Sequence, residues 1–243
     1  MRLKFSIFLF FFIVISLFSC SNNIDSNTEL GKEHFELILY DGLTSNDAAE
    51  ISESLESNYQ RMIDDLRVQN MPKVTVKIWA DYNNFMKTME TSLGTRYTGA
   101  DGYIFGMKEA RIYYTTHAHV TAVHEFAHLV SLQVNGSFSN NPRWLWEAVA
   151  LYENKQFVDP NSLPYMVSGN YPTLNELNTD FNASNKYIYD VGYVLLEYII
   201  QTWGMDSVIE LIKSNGKISD KLGITTQEFE SGWYKFVKEK YLT

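Results

Sequence analysis

His124-Glu125-Phe126-Ala127-His128 sets two imidazoles four residues apart with a carboxylate beside the first, and Glu147 follows after eighteen intervening residues. On a helix, residues four apart share a face, so His124 and His128 can aim at one metal ion while Glu125 stands beside them as a base. Zinc held by two imidazoles alone is loosely coordinated, and a catalytic site adds one more protein ligand while keeping a position open for water. Glu147 can supply that ligand. Its segment, Trp144-Leu145-Trp146-Glu147-Ala148-Val149-Ala150-Leu151-Tyr152, reads as a second helix begun after Asn140-Asn141-Pro142, with Pro142 suited to the first turn. By itself the segment equally fits a buried helix carrying one tolerated Glu, because Trp144, Leu145, Val149 and Leu151 are core residue types. Beside the first motif, Glu147 becomes the expected third ligand, and the chemistry is metal-assisted hydrolysis with Glu125 as general base.

The chain resembles the gluzincin zinc metallopeptidases, specifically their short peptidase-MA-like group. Those families show Pro-x-Trp-Leu-x-Glu-Gly-x-Ala-x-Tyr at the third ligand, and the chain reads Pro142-Arg143-Trp144-Leu145-Trp146-Glu147-Ala148-Val149-Ala150-Leu151-Tyr152, with Ala148 in place of the usual Gly. Tyr189-Asp190-Val191-Gly192 is similar to the Tyr-x-x-Gly helix whose Tyr stabilises the tetrahedral intermediate. The resemblance implies one Zn2+ per chain on His124, His128 and Glu147, catalysis by Glu125 and Tyr189, and a peptide or protein substrate. Tyr189 also fits a packing role in a chain with sixteen Tyr, and Tyr187 is an alternative donor. Glu153, Asp190 or Asp180 could orient a ligand imidazole, although acidic residues are more often solvated.

The N-terminus points outside the cell interior. Arg2 and Lys4 precede an apolar run from Phe5 to Phe18, about fourteen residues, shorter than the roughly twenty that cross a bilayer. Leu17-Phe18-Ser19-Cys20 resembles a bacterial lipobox, which makes residues 1–20 a lipoprotein signal peptide and Cys20, the only cysteine, the lipidated first residue of the mature chain. The alternative is an uncleaved N-terminal anchor; both tether an exported domain to a membrane, inner or outer. One cysteine allows no intramolecular disulfide, so stability rests on the core and on any bound metal. Removing Arg2 and Lys4 takes the formal charge from −9 to about −11. An acidic chain of this kind has no electrostatic reason to bind nucleic acid or anionic head groups, so membrane attachment falls to the lipid on Cys20.

The elements that must position the site follow from periodicity. Residues 21–33 read as a flexible tether and 34–243 as the peptidase-like domain, its sheet lobe 34–134 ending on the zinc helix and its helical lobe spanning 135–243. Phe35 to Tyr40 and Val74 to Trp79 read as strands; Ile51, Leu55, Tyr59, Met62 and Leu66 form the apolar stripe of a long helix between them, and Asp81 can cap a short helix through Met89. Gly102 to Gly106 and Arg111 to Thr115 read as a hairpin ahead of the zinc helix. In gluzincins such a strand edges the cleft and pairs with substrate, so Tyr103 to Gly106 is a candidate binding edge as well as an ordinary sheet edge. A loop around Pro160 to Pro172, the Tyr189 helix, and helices near 205–214 and 225–242 follow. The expected fold is α+β, zincin-like and two-lobed, with a mixed N-terminal sheet and a mainly helical C-terminal half. His34, His117 and His119 fit no motif. The rival from another class is a catalytically inactive peptidase-like scaffold serving as a surface binding lipoprotein, against which the intact Glu125 argues; a structural zinc site would favour Cys ligands.

Overall fold

The computed structural model describes residues 28–179 and 187–242. The signal run, Cys20, Asp180 and Thr243 lie outside the described residues. Five strands, β1 (Thr28–Gly31), β2 (Phe35–Tyr40), β3 (Val74–Trp79), β4 (Gly102–Phe105) and β5 (Glu109–Tyr113), form one mixed sheet in the order β1-β2-β3-β5-β4. β2, β3 and β5 are parallel, and each edge strand is antiparallel to its neighbour. The fold class is therefore α+β.

Alternation assigns the sheet faces. Phe35, Leu37, Leu39, Val74, Val76, Ile78, Ala110 and Ile112 are buried on one face, under α1 (Ala49–Asp65) and α3 (Ala118–Val134). On the other, Trp79 and Tyr103 pack with Phe85, Met86 and Met89 of α2 (Tyr82–Leu93) as a smaller second core. The Asp81 carboxylate accepts from the amide of Asn84 to start α2, and left-handed Gly94 (φ 73°) ends it.

The second half is helical: α4 (Arg143–Glu153), short α5 (Pro164–Val167) and α6 (Leu174–Leu177), then α7 (Tyr187–Trp203), α8 (Met205–Lys213), α9 (Ile218–Leu222) and α10 (Thr226–Tyr241). α4 packs against both α3 and α7, α8 touches the same two helices, and α10 lies on α7. One buried cluster runs without a break from Phe35 in the sheet to Val237 in α10, so the sheet-side and helix-side halves share a core.

Several boundaries depart from expectation; α2, expected through Met89, runs on to Leu93, and α9 was not foreseen. Residues 28–31, assigned to the tether, form β1, with Thr28 opposite Leu39 and Gly31 opposite Glu36, so the ordered domain begins before His34. Its half-exposed TELG carries no apolar period; backbone pairing defines it. β5 starts at Glu109 rather than Arg111, because the hairpin turns tightly over left-handed Gly106 (φ 68°). The expected loop at 160–172 contains a 3-10 turn, Pro160–Ser162, and α5.

Arg61 of α1 is tied to the last residue of α4. Its Nη1 lies 2.5 Å from Glu153 Oε2, and Nη2 donates to the Glu153 carbonyl oxygen. The Glu153 side chain is fully buried. Burial lifts its carboxyl to about 7, outweighing Arg61, and Asp65 pushes the same way. A carboxyl whose folded pKa is raised binds more protons folded than unfolded. Its contribution is thus fully present below the unfolded value and lost as pH rises through about 7. Arg61→Met, which removes the charge partner, is expected to cost about 3 kcal/mol in urea unfolding at pH 8 and clearly less at pH 5, where Glu153 is protonated. An equal loss at both pH values would contradict this account.

Candidate active site

The site lies where α3, α4, α7 and β4 meet. α3 is buried on nearly all sides, including Phe126, Ala127, Leu129 and Val130, so its polar residues are the exceptions. Asn154, just past α4, donates through Nδ2 to the Val120 carbonyl of α3 (2.8 Å), and Asn135 at the C-terminus of α3 donates to the Ile212 carbonyl of α8 (2.8 Å). These bonds hold the helix in register with its neighbours.

His124, His128 and Glu147 come together as expected. Glu147 Oε2 lies 3.3 Å from His124 Nε2 and 3.8 Å from His128 Nε2, and one donor atom from each residue fits within a span of 4.8 Å. Donors 2.0 to 2.1 Å from a tetrahedral zinc stand about 3.3 Å apart. Glu147 Oε2 and His128 Nδ1 are buried with no hydrogen-bond partner. An orphaned carboxylate oxygen facing two imidazole nitrogens is the arrangement a cation resolves, and an N,N,O set with a fourth position open suits zinc. The donor set therefore fits the metal.

The surroundings fix each donor differently. His124 Nδ1 meets Gln156 Oε1 at 3.0 Å. With the amide oxygen as acceptor, Nδ1 holds the proton and Nε2 is left free to coordinate. His128 is positioned by stacking on Trp146, ring centroids 4.0 Å apart and planes within 2°. The other oxygen of Glu147 takes Arg143 Nη1 at 3.3 Å, one turn earlier on α4. Burial pushes the Glu147 carboxyl up, but His124, then His128 and Arg143, overcome it and hold it at about 2. Burial and the charge of His124 push His128 down to about 3. At His124 burial is outweighed by Glu147, which raises the imidazole. Burial lifts Glu125, the candidate base, to about 7, with His124 opposing. A base poised near neutral pH is matched to proton transfer.

Two glycines permit the close approaches. A Cβ on Gly102 of β4 would stand 2.6 Å from Thr121 Cγ2 and 2.9 Å from Glu125 Oε1, so only glycine lets the edge strand pass this near the base. A Cβ on Gly192 of α7 would meet Leu151 Cδ1 at 2.5 Å and the Ala148 Cα at 3.2 Å. The small pair Ala148 and Gly192 is what lets α4 and α7 lie together, and it brings Tyr189, one turn earlier, to the site.

Tyr189 lines the cleft and Tyr187 does not; the Tyr187 ring packs on Tyr165 at 4.5 Å. Burial raises the Tyr189 phenol, and Arg143, whose guanidinium lies 5.4 Å from the ring centroid, opposes that rise by charge and hydrogen bonding. The phenol stays protonated and able to donate. Two cavities open on His124, Glu125 and Tyr189: one of about 280 Å³ walled by Gly99, Ala100, Asp101, Thr121 and Gln156, the other of about 300 Å³ walled by Met89, Leu93, Tyr97, Ala100, Tyr103, Ile104, Ser139, Asn140 and Trp146. β4 borders both at Gly102.

The expected orienting carboxylates are elsewhere. Glu153 pairs with Arg61, and Asp190 accepts from the Tyr165 hydroxyl at 3.0 Å. Gln156 takes that place for His124. Neither Gln156 nor Arg143 was marked by the motifs, although Arg143 could have been found from its i,i+4 spacing to Glu147. No family model matches the chain, and no curated protein matches it.

Gly192→Ala is expected to cost about 1 to 3 kcal/mol in urea unfolding through the α4–α7 contact. A variant as stable as the parent would mean that the helices tolerate wider spacing.

Proposed function

We propose that the chain is a zinc-dependent hydrolase of peptide bonds, a gluzincin of the short peptidase-MA-like group with a two-lobed zincin fold. We also propose that it is exported and held to a bacterial membrane through lipid on Cys20. The observation that carries this reading is the convergence of His124 Nε2, His128 Nε2 and Glu147 Oε2, with the Glu125 carboxyl beside them at the floor of an open cleft.

His124, His128 and Glu147 would hold the metal. Zinc there supplies Lewis acidity toward water and a carbonyl oxygen. The chain's own groups do the rest. Glu125, buried beside the metal position, accepts the proton of the attacking water and delivers it to the leaving amine. Tyr189 donates its hydroxyl proton in a hydrogen bond to the oxyanion, a contribution commonly worth about 3 kcal/mol. Arg143 hydrogen-bonds the second oxygen of Glu147 and adds to the effect of His124 and His128 in keeping that carboxylate ionised. Gln156 holds the His124 tautomer.

Purified protein is expected to contain one zinc per chain by elemental mass spectrometry. Glu125→Gln should retain that zinc while losing about 10^2 to 10^4-fold in peptide hydrolysis, whereas Glu147→Ala should lose the metal. Undiminished hydrolysis by Glu125→Gln would remove the mechanism. Gln156→Leu should weaken zinc by about ten- to a hundredfold in chelator competition, and unchanged affinity would mean that the Gln156 bond does not orient His124.

A further inference from the structure

Gln156, whose Oε1 meets His124 Nδ1, belongs to no helix; the turn that ends α4 puts it there. The Lys155 amide donates to the Tyr152 carbonyl at 3.0 Å and the Gln156 amide to the Leu151 carbonyl at 2.9 Å, with Lys155 left-handed at φ 57°. This is a Schellman ending, in which the left-handed residue is usually Gly and the residue after it often packs an apolar side chain back on the helix. The chain departs from that pattern at both places. Lys carries a Cβ that disfavours the left-handed conformation, so neighbouring contacts must enforce the turn. Gln156 extends an amide to α3 in place of an apolar contact. Two contacts enforce the turn. Asn154 Nδ2 donates to the Val120 carbonyl of α3 on one side. On the other, Arg61 of α1 puts one guanidinium nitrogen on the Glu153 carboxylate and the other on the Glu153 carbonyl oxygen, gripping side chain and main chain of the residue from which the turn departs. Arg61 is itself held on α1 by Asn58 Oδ1 at 3.1 Å and Asp65 Oδ2 at 3.2 Å, one turn to either side. The second carboxylate oxygen of Glu153 is buried without a hydrogen bond, so Arg61 is the anchor of that side chain.

We infer that Arg61 is a positioning residue for the metal site: its grip on Glu153 sets the turn that carries Gln156 onto His124, and thereby the affinity of the site for zinc. The inference rests on the proposed metal site and extends it to a helix that contributes no ligand. An ion pair around a buried carboxylate gains little net stability over an apolar pair of similar volume, so what it adds here is a defined placement. Because α1 also packs along α3, one helix bears on both partners of the His124–Gln156 bond, the imidazole through α3 and the amide through the end of α4. Donor and acceptor are thereby referred to a common support, and a shift of the turn would release the proton position on His124 that leaves Nε2 free for the metal.

Zinc affinity of the full-length protein in detergent, measured by competition with a fluorescent chelator, tests this without recourse to turnover. Arg61→Leu combined with Glu153→Met removes both charges, so no buried carboxylate is left unpaired and the variant is expected to fold. It should bind zinc about tenfold more weakly than the parent, within the range that loss of an orienting partner costs. In a Gln156→Leu background the same pair of substitutions should cost nothing further, because the route to His124 is already cut. Amide hydrogen exchange of the metal-free protein, followed by NMR, should show the Gln156 amide losing protection in the paired variant while that of Val149, in the middle of α4, keeps it. Unchanged zinc affinity in the paired variant, or an equal loss with and without Gln156, overturns the inference and leaves the proposed metal site standing. A parent protein that takes up no zinc removes the proposed function and overturns the claim on affinity, and exchange at Gln156 still decides whether Arg61 holds the turn.

Discussion

A carboxylate buried at the junction of three helices is the constraint from which the rest of the site follows. The Glu147 side chain is 6% exposed, and an ionised group taken out of water must find charge and hydrogen bonds in the protein. One oxygen is answered by Arg143 on the same helix; the other faces two imidazoles from α3. That second answer can exist only if α3 and α4 cross at this level, and α4 can be held there only if α7 backs it closely. The Ala148 and Gly192 contact allows this. Electrostatics at one atom and steric room two helices away are therefore parts of one condition.

The sheet meets the same condition from the other side. β4 is an edge strand, and at Gly102 it comes within contact of Thr121 and Glu125. The candidate base is thus roofed by backbone while its carboxyl still opens on the cleft. Because β4 also carries Tyr103 toward α2, the strand that covers Glu125 joins the site to the second core. Gly102 thereby stands between two cavities, one bordered by residues 99–101 and Gln156, the other by Met89 and Tyr103 of the second core.

Much of this was legible in the residues, and the limits have physical causes. His124, Glu125 and His128 were readable because helical spacing converts sequence distance directly into a shared face. Glu147 was readable from its pairing with that motif, β2, β3 and α1 from their apolar patterns, and α2 from Asp81 as its cap. Gln156 was not, since it bonds His124 across thirty-two positions of sequence and nothing local marks it. Trp146 is core although it was not among the core residues expected on its helix, and its stacking on His128 depends on the angle between two helices. Glu153 and Asp190 have the right chemistry to support an imidazole, but Arg61 and Tyr165 reach them first. β1 escaped notice because pairing along the backbone leaves no hydrophobic rhythm in four residues.

That short edge strand has a mechanical meaning. With β1 beginning at Thr28, eight residue steps separate it from Cys20, a reach of at most about 28 Å whatever path the chain takes between them. β1 and β4 lie at opposite edges of the five-stranded sheet, four strand spacings or about 19 Å apart. Under the proposed anchoring, the β1 edge would be held within that reach of the bilayer. The cleft beside β4 would then work within a shallow layer above the membrane surface, and the search for substrate would be confined almost to two dimensions.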